Sequence, residues 1–279
     1  FAKEAEILSY VTTGIKDSIN AGVYVIDLKK WDSKHIFHSH DKTKYYKLTL
    51  SDSGDNLAFI IDSDTSKSYH RNNELYIWDK TVDKASIIAN TKISPEGYRV
   101  SSDGMVMFSK DESKLYFGLA LPEIYQDTLL LDEEIVNVEV WSYNEPRLYT
   151  VQEMQVKNDK RKSFQTVFHL KNKKIVQIAN KEFPRAFLSD EGNGKHALII
   201  SSEPYQLSSQ WTGQFSKNDL KVINIDNGLS KMAIKGNSNY ARFSPKGKYA
   251  YGYNEYDSTW YTYNIETSKY TELTKGKIF

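Results

Sequence analysis

The sequence contains no cysteine and little proline or glycine, with 6 Pro and 14 Gly among 279 residues. The absence of cysteine excludes disulfide scaffolds, thiolate metal sites and thiol catalysis, although it does not decide the cellular compartment. The low content of proline and glycine, together with 39% hydrophobic residues, excludes collagen-like and disordered chains. The composition therefore predicts a soluble globular protein with a substantial core.

Neither sign of charge dominates, because 37 Lys and Arg residues face 36 Asp and Glu residues, for a net charge of +1. Such a chain has no long-range field for nucleic acid or an anionic membrane, and we expect neither as a partner. Long hydrophobic runs are also missing. The most apolar run, Ala-Leu-Ile-Ile at 197–200, has the length of a strand, so the sequence predicts no membrane span.

Aromatic residues are abundant, with 20 Tyr, 12 Phe and 5 Trp. They occur in short runs beside β-branched residues, a pattern typical of strands. Four similar runs, at 22–27, 74–79, 219–226 and 259–265, carry polar Asp or Asn residues at or near their ends. A second short apolar run follows three of them, which predicts β-hairpins.

A serine-initiated turn followed by an apolar strand recurs upstream of the hairpins, at Ser51, Ser109, Ser189 and Ser244. Turn, strand, loop and hairpin together make a four-stranded meander. Repeats of this kind, with insertions that lengthen the intervals, are typical of a β-propeller. The sequence thus predicts an all-β fold of about five four-stranded antiparallel blades in a partial or open ring. A pair of β-sandwiches would not explain the recurring order.

We interpret residues 1–279 as a single propeller domain or fragment, with a lead-in segment at 1–20 and blade repeats at 21–279. The long interval between Ser109 and Ser189 contains an extra predicted hairpin, from 147–155 through a turn at 158–161 into 164–169, followed by a strand at 173–178. Helical periodicity is suggested only at 3–10. No cofactor-binding motif is present.

The strings Ala-Arg-Phe-Ser-Pro-Lys-Gly-Lys-Tyr at 241–249 and Trp-Tyr-Thr-Tyr-Asn-Ile at 260–265 resemble the propeller repeat of the prolyl oligopeptidase and dipeptidyl peptidase IV family. The acidic passage at 132–148, with its Val-Glu-Val-Trp and Glu-Pro-Arg-Leu strings, is similar to a passage in bacterial exported members. The resemblance covers most of the chain from about residue 22. TolB-like propellers share the Ser-Pro-x-Gly-Lys turn.

The resemblance implies an amino-terminal propeller that gates or scaffolds the access of short peptides to an α/β-hydrolase domain of the same protein. It also implies a periplasmic or extracellular location and a surface for homodimerisation. The Gly-x-Ser-x-Gly nucleophile motif of that hydrolase is missing, since Gly-Asn-Ser-Asn-Tyr at 236–240 lacks the second glycine. We therefore expect a piece of a longer serine peptidase, with no catalytic residue in this chain.

Two alternatives of other classes stay open. The first is a stand-alone TolB-like propeller that binds partner proteins. The second is a propeller glycosidase or lyase, which requires a pair of carboxyl groups at a set spacing in a funnel lined by Asp and Glu.

His35, His38 and His40 form the sequence's histidine cluster and are weak candidates for a metal site, since His38 and His40 would share a face of a strand. Exposed histidines on a polar hairpin are the favoured interpretation. Glu133 and Glu134 are an adjacent glutamate pair and weak candidates for binding a peptide's amino terminus. A solvated acidic loop is favoured for them.

Basic residues cluster in two predicted turns, one at 157–162 and the other at 171–174, where exposed lysines would block unwanted strand pairing. Trp78, Trp141 and Trp260 lie in strand-like runs, which predicts packing between blades. Trp31 and Trp211 lie in loop-like contexts and are somewhat better candidates for contact with a ligand.

Overall fold

The structure is a computed structural model that describes residues 1–14, 19–40, 42–64, 66, 71–123, 131, 133, 141–213, 217–237 and 241–276. Its strands form five antiparallel sheets, numbered here in chain order. Sheet 1 contains β1 (Ile7–Thr12), β2 (Gly22–Asp27) and β3 (Asp32–His38). Sheet 2 contains β4 (Lys44–Leu50), β5 (Asn56–Asp62), β6 (Glu74–Asp79) and β7 (Ser86–Ala89).

Sheet 3 contains β8 (Arg99–Val100), β9 (Met107–Phe108), β10 (Lys114–Ala120), β11 (Phe164–His169) and β12 (Lys174–Gln177). Helix α1 (Tyr149–Lys160) precedes β11. Sheet 4 contains β13 (Arg185–Leu188), β14 (His196–Ser201), β15 (Asn218–Asn224) and β16 (Ser230–Asn237), with helix α2 (Glu203–Thr212) between β14 and β15. Sheet 5 contains β17 (Arg242–Phe243), β18 (Tyr249–Asn254), β19 (Thr259–Asn264) and β20 (Tyr270–Glu272).

Sheets 2, 4 and 5 are four-stranded meanders in which each strand pairs with the next strand along the chain. Sheet 3 follows the same order, except that β8 and β9 both pair with β10. This is the strand arrangement of propeller blades. The predicted all-β fold class, with about five antiparallel blades, is confirmed.

The chain falls into two compact units. Unit 1 comprises Phe1–Glu123 and Gln165–Ile175, and it holds sheets 1 and 2 and most of sheet 3. Unit 2 comprises Ile124–Phe164 and Val176–Phe279, and it holds sheets 4 and 5 with both helices. Strand β1 lies inside the predicted lead-in segment and pairs along its length with β2. The single domain at 1–279 stays a prediction.

The recurring serine closes the turn that leads into the long strands β5, β10, β14 and β18. The main-chain N–H groups of Asn56, Lys114 and Tyr249 donate to the hydroxyl oxygens of Ser51, Ser109 and Ser244, at 3.1, 3.0 and 3.1 Å. Each serine N–H donates in return to the carbonyl of the same residue, five positions later. The turn of Ser189 is two residues longer, and its hydroxyl donates to the carbonyl of His196 at 2.6 Å. Serine recurs because its short side chain pairs a main-chain group that the turn leaves free.

The hairpin turns use a second repeated device. The side-chain oxygen of Asn224 accepts the N–H groups of Asp226 and Asn227, at 2.9 and 3.3 Å. Asp27, Asp79 and Asn264 bind the main chain of their own turns in the same way. The polar residue that ends each run is therefore part of the turn, as an Asx turn.

Strand β5 explains how an uninterrupted apolar run becomes the middle of a blade. Its odd-numbered residues Leu57, Phe59 and Ile61 pack with Val23 and Ile36 of sheet 1, in one core cluster. Its even-numbered residues, Ala58 and Ile60, belong to a second cluster that includes residues of sheet 3. Because successive side chains of a strand point to opposite faces, a strand packed on both faces must be apolar throughout.

Substituting Ser109 by alanine should destabilise unit 1 by about 1–2 kcal/mol, because the buried N–H of Lys114 loses its hydrogen-bond acceptor. Ser113→Ala removes an exposed hydroxyl from the same turn and should cost less than about 0.5 kcal/mol. Urea unfolding followed by the fluorescence of Trp78, which is buried in unit 1, measures both values. Equal effects of the two substitutions would show that the turn serine is not a closing residue.

The predicted hairpin strand at 147–155 is wrong, because helix α1 occupies most of this range. The predicted turn at 158–161 is wrong as well, because α1 continues through Lys160, whereas β11 and β12 confirm the predicted strands at 164–169 and 173–178. The guanidinium of Arg147, just before the helix, donates to Gln155 at 2.7 Å and to Asp159 at 2.8 Å, eight and twelve residues further along the chain. The helix suggested at 3–10 is also wrong, because β1 occupies its second half.

Helix α2 was not predicted. It begins with Glu203 and a proline in its first turn, and it ends at Gly213, whose backbone is left-handed. Within the described part of the chain, no helix has the length and apolar character needed to cross a membrane.

Candidate functional site

The first strands of sheets 4 and 5, β13 and β17, line a pocket of about 820 Å³ within unit 2. This volume lies within the range typical of small-molecule sites, roughly 300–1,000 Å³. We call it the first-strand pocket. Its lining residues combine four charged side chains with an apolar wall: Arg185, Phe187, Leu188, Asp190, Glu191, Ala241, Arg242, Phe243, Ser244 and Pro245.

Strand β13 contributes Arg185 and Phe187, which lie two residues apart and therefore share a face of the strand. Phe187 is 42% exposed, so part of its ring faces solvent at the pocket. The guanidinium of Arg185 donates to the side-chain oxygen of Asn218 at 2.8 Å. Since Asn218 is buried at the start of β15, it fixes the direction of the arginine.

Strand β17 contributes Arg242 and Phe243 on the other side. Phe243 packs against the core cluster of unit 2, so it anchors the strand, while Arg242 is exposed. The following residue, Ser244, accepts the N–H of Tyr249 and starts the closing turn. The sequence pattern marks this string as a repeat and does not single out its arginine, which the structure places in the pocket lining.

Two exposed acidic residues of the lining, Asp190 and Glu191, have left-handed backbone conformations, with φ of 50° and 52°. Such angles cost roughly 1–2 kcal/mol for residues other than glycine. Hydrogen bonds around the turn hold them in place, from Gly192 N–H to Ser189 at 3.0 Å and from Asn193 N–H to Asp190 at 2.8 Å. Strained residues of this kind cluster at functional sites.

The charged groups of the lining suit the binding of a polar ligand. The described lining residues include no histidine or lysine, and their one hydroxyl group, that of Ser244, accepts a main-chain hydrogen bond. A serine nucleophile requires a base within hydrogen-bond reach. The pocket instead offers two cations, two anions and an apolar surface.

A cluster of polar groups in sheet 4 holds helix α2 in place. The hydroxyl of Tyr205 donates to Oδ1 of Asp219 at 2.6 Å. The main-chain N–H of Gly236 donates to the same Oδ1 atom at 2.9 Å. Burial, and then the hydrogen bond to the carboxylate of Asp219, raise the pKa of Tyr205 to about 12. Tyr205 is therefore a neutral donor that fixes the helix to β15.

The structure brings together His35 and His38 but not His38 and His40. A bulge at Val23 and Tyr24 shifts the register of β3, so that the rings of His35 and His38 meet edge to face, 3.8 Å between centroids. Strand β3 ends at His38, so the predicted shared strand face of His38 and His40 is wrong.

The ammonium group of Lys84 lies beside the two histidines. The Nζ atom of Lys84 lies 2.8 Å from Nε2 of His38 and donates to the carbonyl of His35 at 2.9 Å. Burial first, and then the neighbouring His38 and Lys84, lower the pKa of His35. Among the described residues, no group of three or more His, Asp and Glu side chains could hold a metal ion.

The remaining candidates have different outcomes. Glu133 is exposed, while Glu134 lies outside the described residues, as do residues 132 and 135–140 of the acidic passage. The basic cluster at 157–162 belongs to the end of α1 and the residues after it, so its prediction as a hairpin tip is wrong.

The predicted packing role is confirmed for Trp78, which is 4% exposed in the core. It is wrong for Trp141 and Trp260, which are 63% and 48% exposed. Trp31 and Trp211 are also exposed, and Trp211 lies in α2 rather than in a loop. Both tryptophans are therefore accessible. Their contact with a ligand stays a prediction.

No protein-family model matches the chain, and no curated protein matches it significantly. Solved structures to which it is similar include an acylaminoacyl peptidase of Pyrococcus horikoshii, with 13% identity, a TM-score of 0.42, and coverage of 96% of this chain and 38% of that one. TolB from Acinetobacter baumannii has 13% identity and a TM-score of 0.29, with coverage of 98% and 64%. An oligogalacturonate lyase has 11% identity and a TM-score of 0.41, with coverage of 98% and 64%. The chain thus spans less than two thirds of the length of these proteins.

Proposed function

We propose that this chain is the noncatalytic propeller portion of an exported serine peptidase, which binds short peptides in the first-strand pocket and admits them to a hydrolase domain of the same protein. The observation that carries the binding proposal is the lining of the pocket, with two arginines and exposed Phe187 on the first strands of sheets 4 and 5 and two carboxylates in the turn after β13. The peptidase assignment and a periplasmic or extracellular location rest on the repeat strings at 241–249 and 260–265.

A short peptide matches each part of this lining. Its terminal carboxylate suits a guanidinium, because charge-assisted hydrogen bonds to arginine are among the strongest in proteins. Its amino group suits the carboxylates of Asp190 and Glu191, and its apolar side chains suit the exposed ring of Phe187. Since Asn218 already orients Arg185, part of the entropic cost of binding is removed before the peptide arrives.

We expect that a fluorescent tetrapeptide with a free carboxylate binds the chain, and that Arg242→Gln weakens this binding at least about tenfold, equivalent to about 1.4 kcal/mol. Arg161→Gln removes the same charge outside the pocket and should leave the affinity unchanged. Fluorescence polarisation measures both. Equal binding of the free acid and its carboxamide, together with no effect of Arg242→Gln, would contradict the assignment of the pocket.

The peptidase assignment has a separate test. The full open reading frame should encode a Gly-x-Ser-x-Gly motif with Asp and His after it, and the isolated chain should not hydrolyse prolyl reporter substrates. Turnover that a serine-directed inhibitor abolishes would contradict the noncatalytic role. The alternatives make other predictions: a TolB-like propeller retains a partner protein in a pull-down assay, and a glycosidase or lyase degrades an acidic oligosaccharide.

A further inference from the structure

A second cavity, of about 390 Å³, lies among turns of sheets 4 and 5 in unit 2. It is distinct from the first-strand pocket, since no residue lines both. Its lining is rich in cations and in glycine: Ser189, Gly194, Lys195, His196, Lys246, Gly247, Lys248, Ile265 and Glu266. We call it the lysine cavity.

Lys195, Lys246 and Lys248 are exposed at this cavity, and none of them forms an ion pair with any residue that the structure describes. The ammonium group of Lys248 lies 5.7 Å from the ring centroid of Tyr249, a weak cation–π contact. Three cations in one cavity repel one another unless an anion lies between them.

The remaining polar groups do not neutralise these lysines. Glu266 is the carboxylate among the described lining residues, so an excess of two positive charges remains. His196 adds no charge at neutral pH, because burial lowers its pKa and outweighs the opposing effects of Asp226 and Glu266. A neutral imidazole can still donate one hydrogen bond into the cavity.

The two turns that carry the lysines are in direct contact. A Cβ atom on Gly194 would lie 1.9 Å from the hydroxyl oxygen of Ser189, and one on Gly247 would lie 2.8 Å from the Cβ of Ser189. Both glycines therefore pack against Ser189, whose hydroxyl donates to the carbonyl of His196. This contact keeps the backbones of Lys195 and Lys246 beside one cavity before any ligand arrives.

We propose that the lysine cavity binds a tetrahedral oxyanion of the phosphate class, either inorganic phosphate or the phosphoryl group of a monoester. A dianion balances the excess of two positive charges, and its several oxygens accept hydrogen bonds from lysine ammonium groups and an imidazole N–H. The cavity has room for this anion and for part of the molecule that carries it.

Isothermal titration calorimetry with sodium phosphate, at an ionic strength held constant with sodium chloride, tests the proposal. We expect saturable binding that Lys195→Gln with Lys246→Gln weakens at least about tenfold. Lys181→Gln, an exposed lysine of unit 2 outside the cavity, is the matched control and should not change the affinity. Tighter binding of phosphoserine than of inorganic phosphate would identify a monoester as the ligand.

A second readout uses the unaltered protein. Phosphate should raise the pKa of His196, followed by NMR of its ring protons, because a bound anion favours the imidazolium form. This readout decides the question if the double variant fails to fold. Non-saturating heats, an unchanged pKa of His196 or equal effects of chloride would mean an adventitious ion only and would overturn the proposal. The peptide-binding assay is independent of this result, since the two sites share no residue.

Discussion

Gly22→Ala should destabilise unit 1 by at least about 3 kcal/mol. Gly22 opens β2 with φ of 153°, a conformation that other residues rarely adopt. A Cβ atom there would lie 1.9 Å from the carbonyl oxygen of Phe37 and 2.3 Å from Nε2 of His35. The first neighbour is backbone, so only a separation of β2 from β3 relieves the clash.

Gly97→Ala is the matched control, because Gly97 also lies in unit 1 with a positive φ of 77° but has no atom within 4 Å of the added Cβ. Gly97→Ala should lower the free energy of unfolding by only about 1 kcal/mol, because alanine is less stable than glycine in a left-handed conformation. Urea unfolding followed by Trp78 fluorescence compares the two. An insoluble Gly22→Ala protein beside a soluble control supports the expectation, whereas equal stabilities would contradict it.

Much of the fold could be predicted from the sequence because its repeats have local causes. A serine that closes a turn and an Asp or Asn that caps a hairpin act within a few residues of themselves, so Ser51, Ser109 and Ser244 repeat the same bonds. The apolar run of β5 likewise follows from burial on both faces. Helix α1 was missed because its β-branched residues favour strands, whereas the stabilising contacts of Arg147 with Gln155 and Asp159 are spread over three turns.

The candidate sites were harder to predict because they join residues that are distant in the sequence. Arg185 and Arg242 come from separate sheets, and neither lies in a motif that indicates binding. The arrangement of the histidines could not be predicted for a different reason. A one-residue bulge moves His35 next to His38, and Lys84, 46 residues further on, occupies the space beside them. The spacing of histidines in the sequence predicts neither the bulge nor the position of Lys84.

Glu112→Ala should destabilise unit 1 by about 2–3 kcal/mol, because one carboxylate connects the turn of sheet 3 to that of sheet 2. Its oxygens accept the N–H and the hydroxyl of Ser53, both at 2.7 Å, and the side-chain amide of Asn56 at 3.2 Å. The backbone of Glu112 is left-handed, with φ of 55°, and these bonds offset that strain. Glu96→Ala, at an exposed glutamate of unit 1, is the control and should cost less than about 0.5 kcal/mol.

The stabilisation by Glu112 should also depend on pH. Burial raises the pKa of its carboxyl group, but the hydrogen bonds from Ser53 and Asn56 outweigh burial, and the pKa lies below its ordinary value of 4.5. The unfolded chain therefore takes up the proton first as the pH falls. The difference in unfolding free energy between the wild type and Glu112→Gln should be full at pH 7 and should shrink below about pH 4.5. Urea unfolding at several pH values measures it, and a difference that stays constant down to pH 3 would show that the charge of Glu112 does not hold the two turns together.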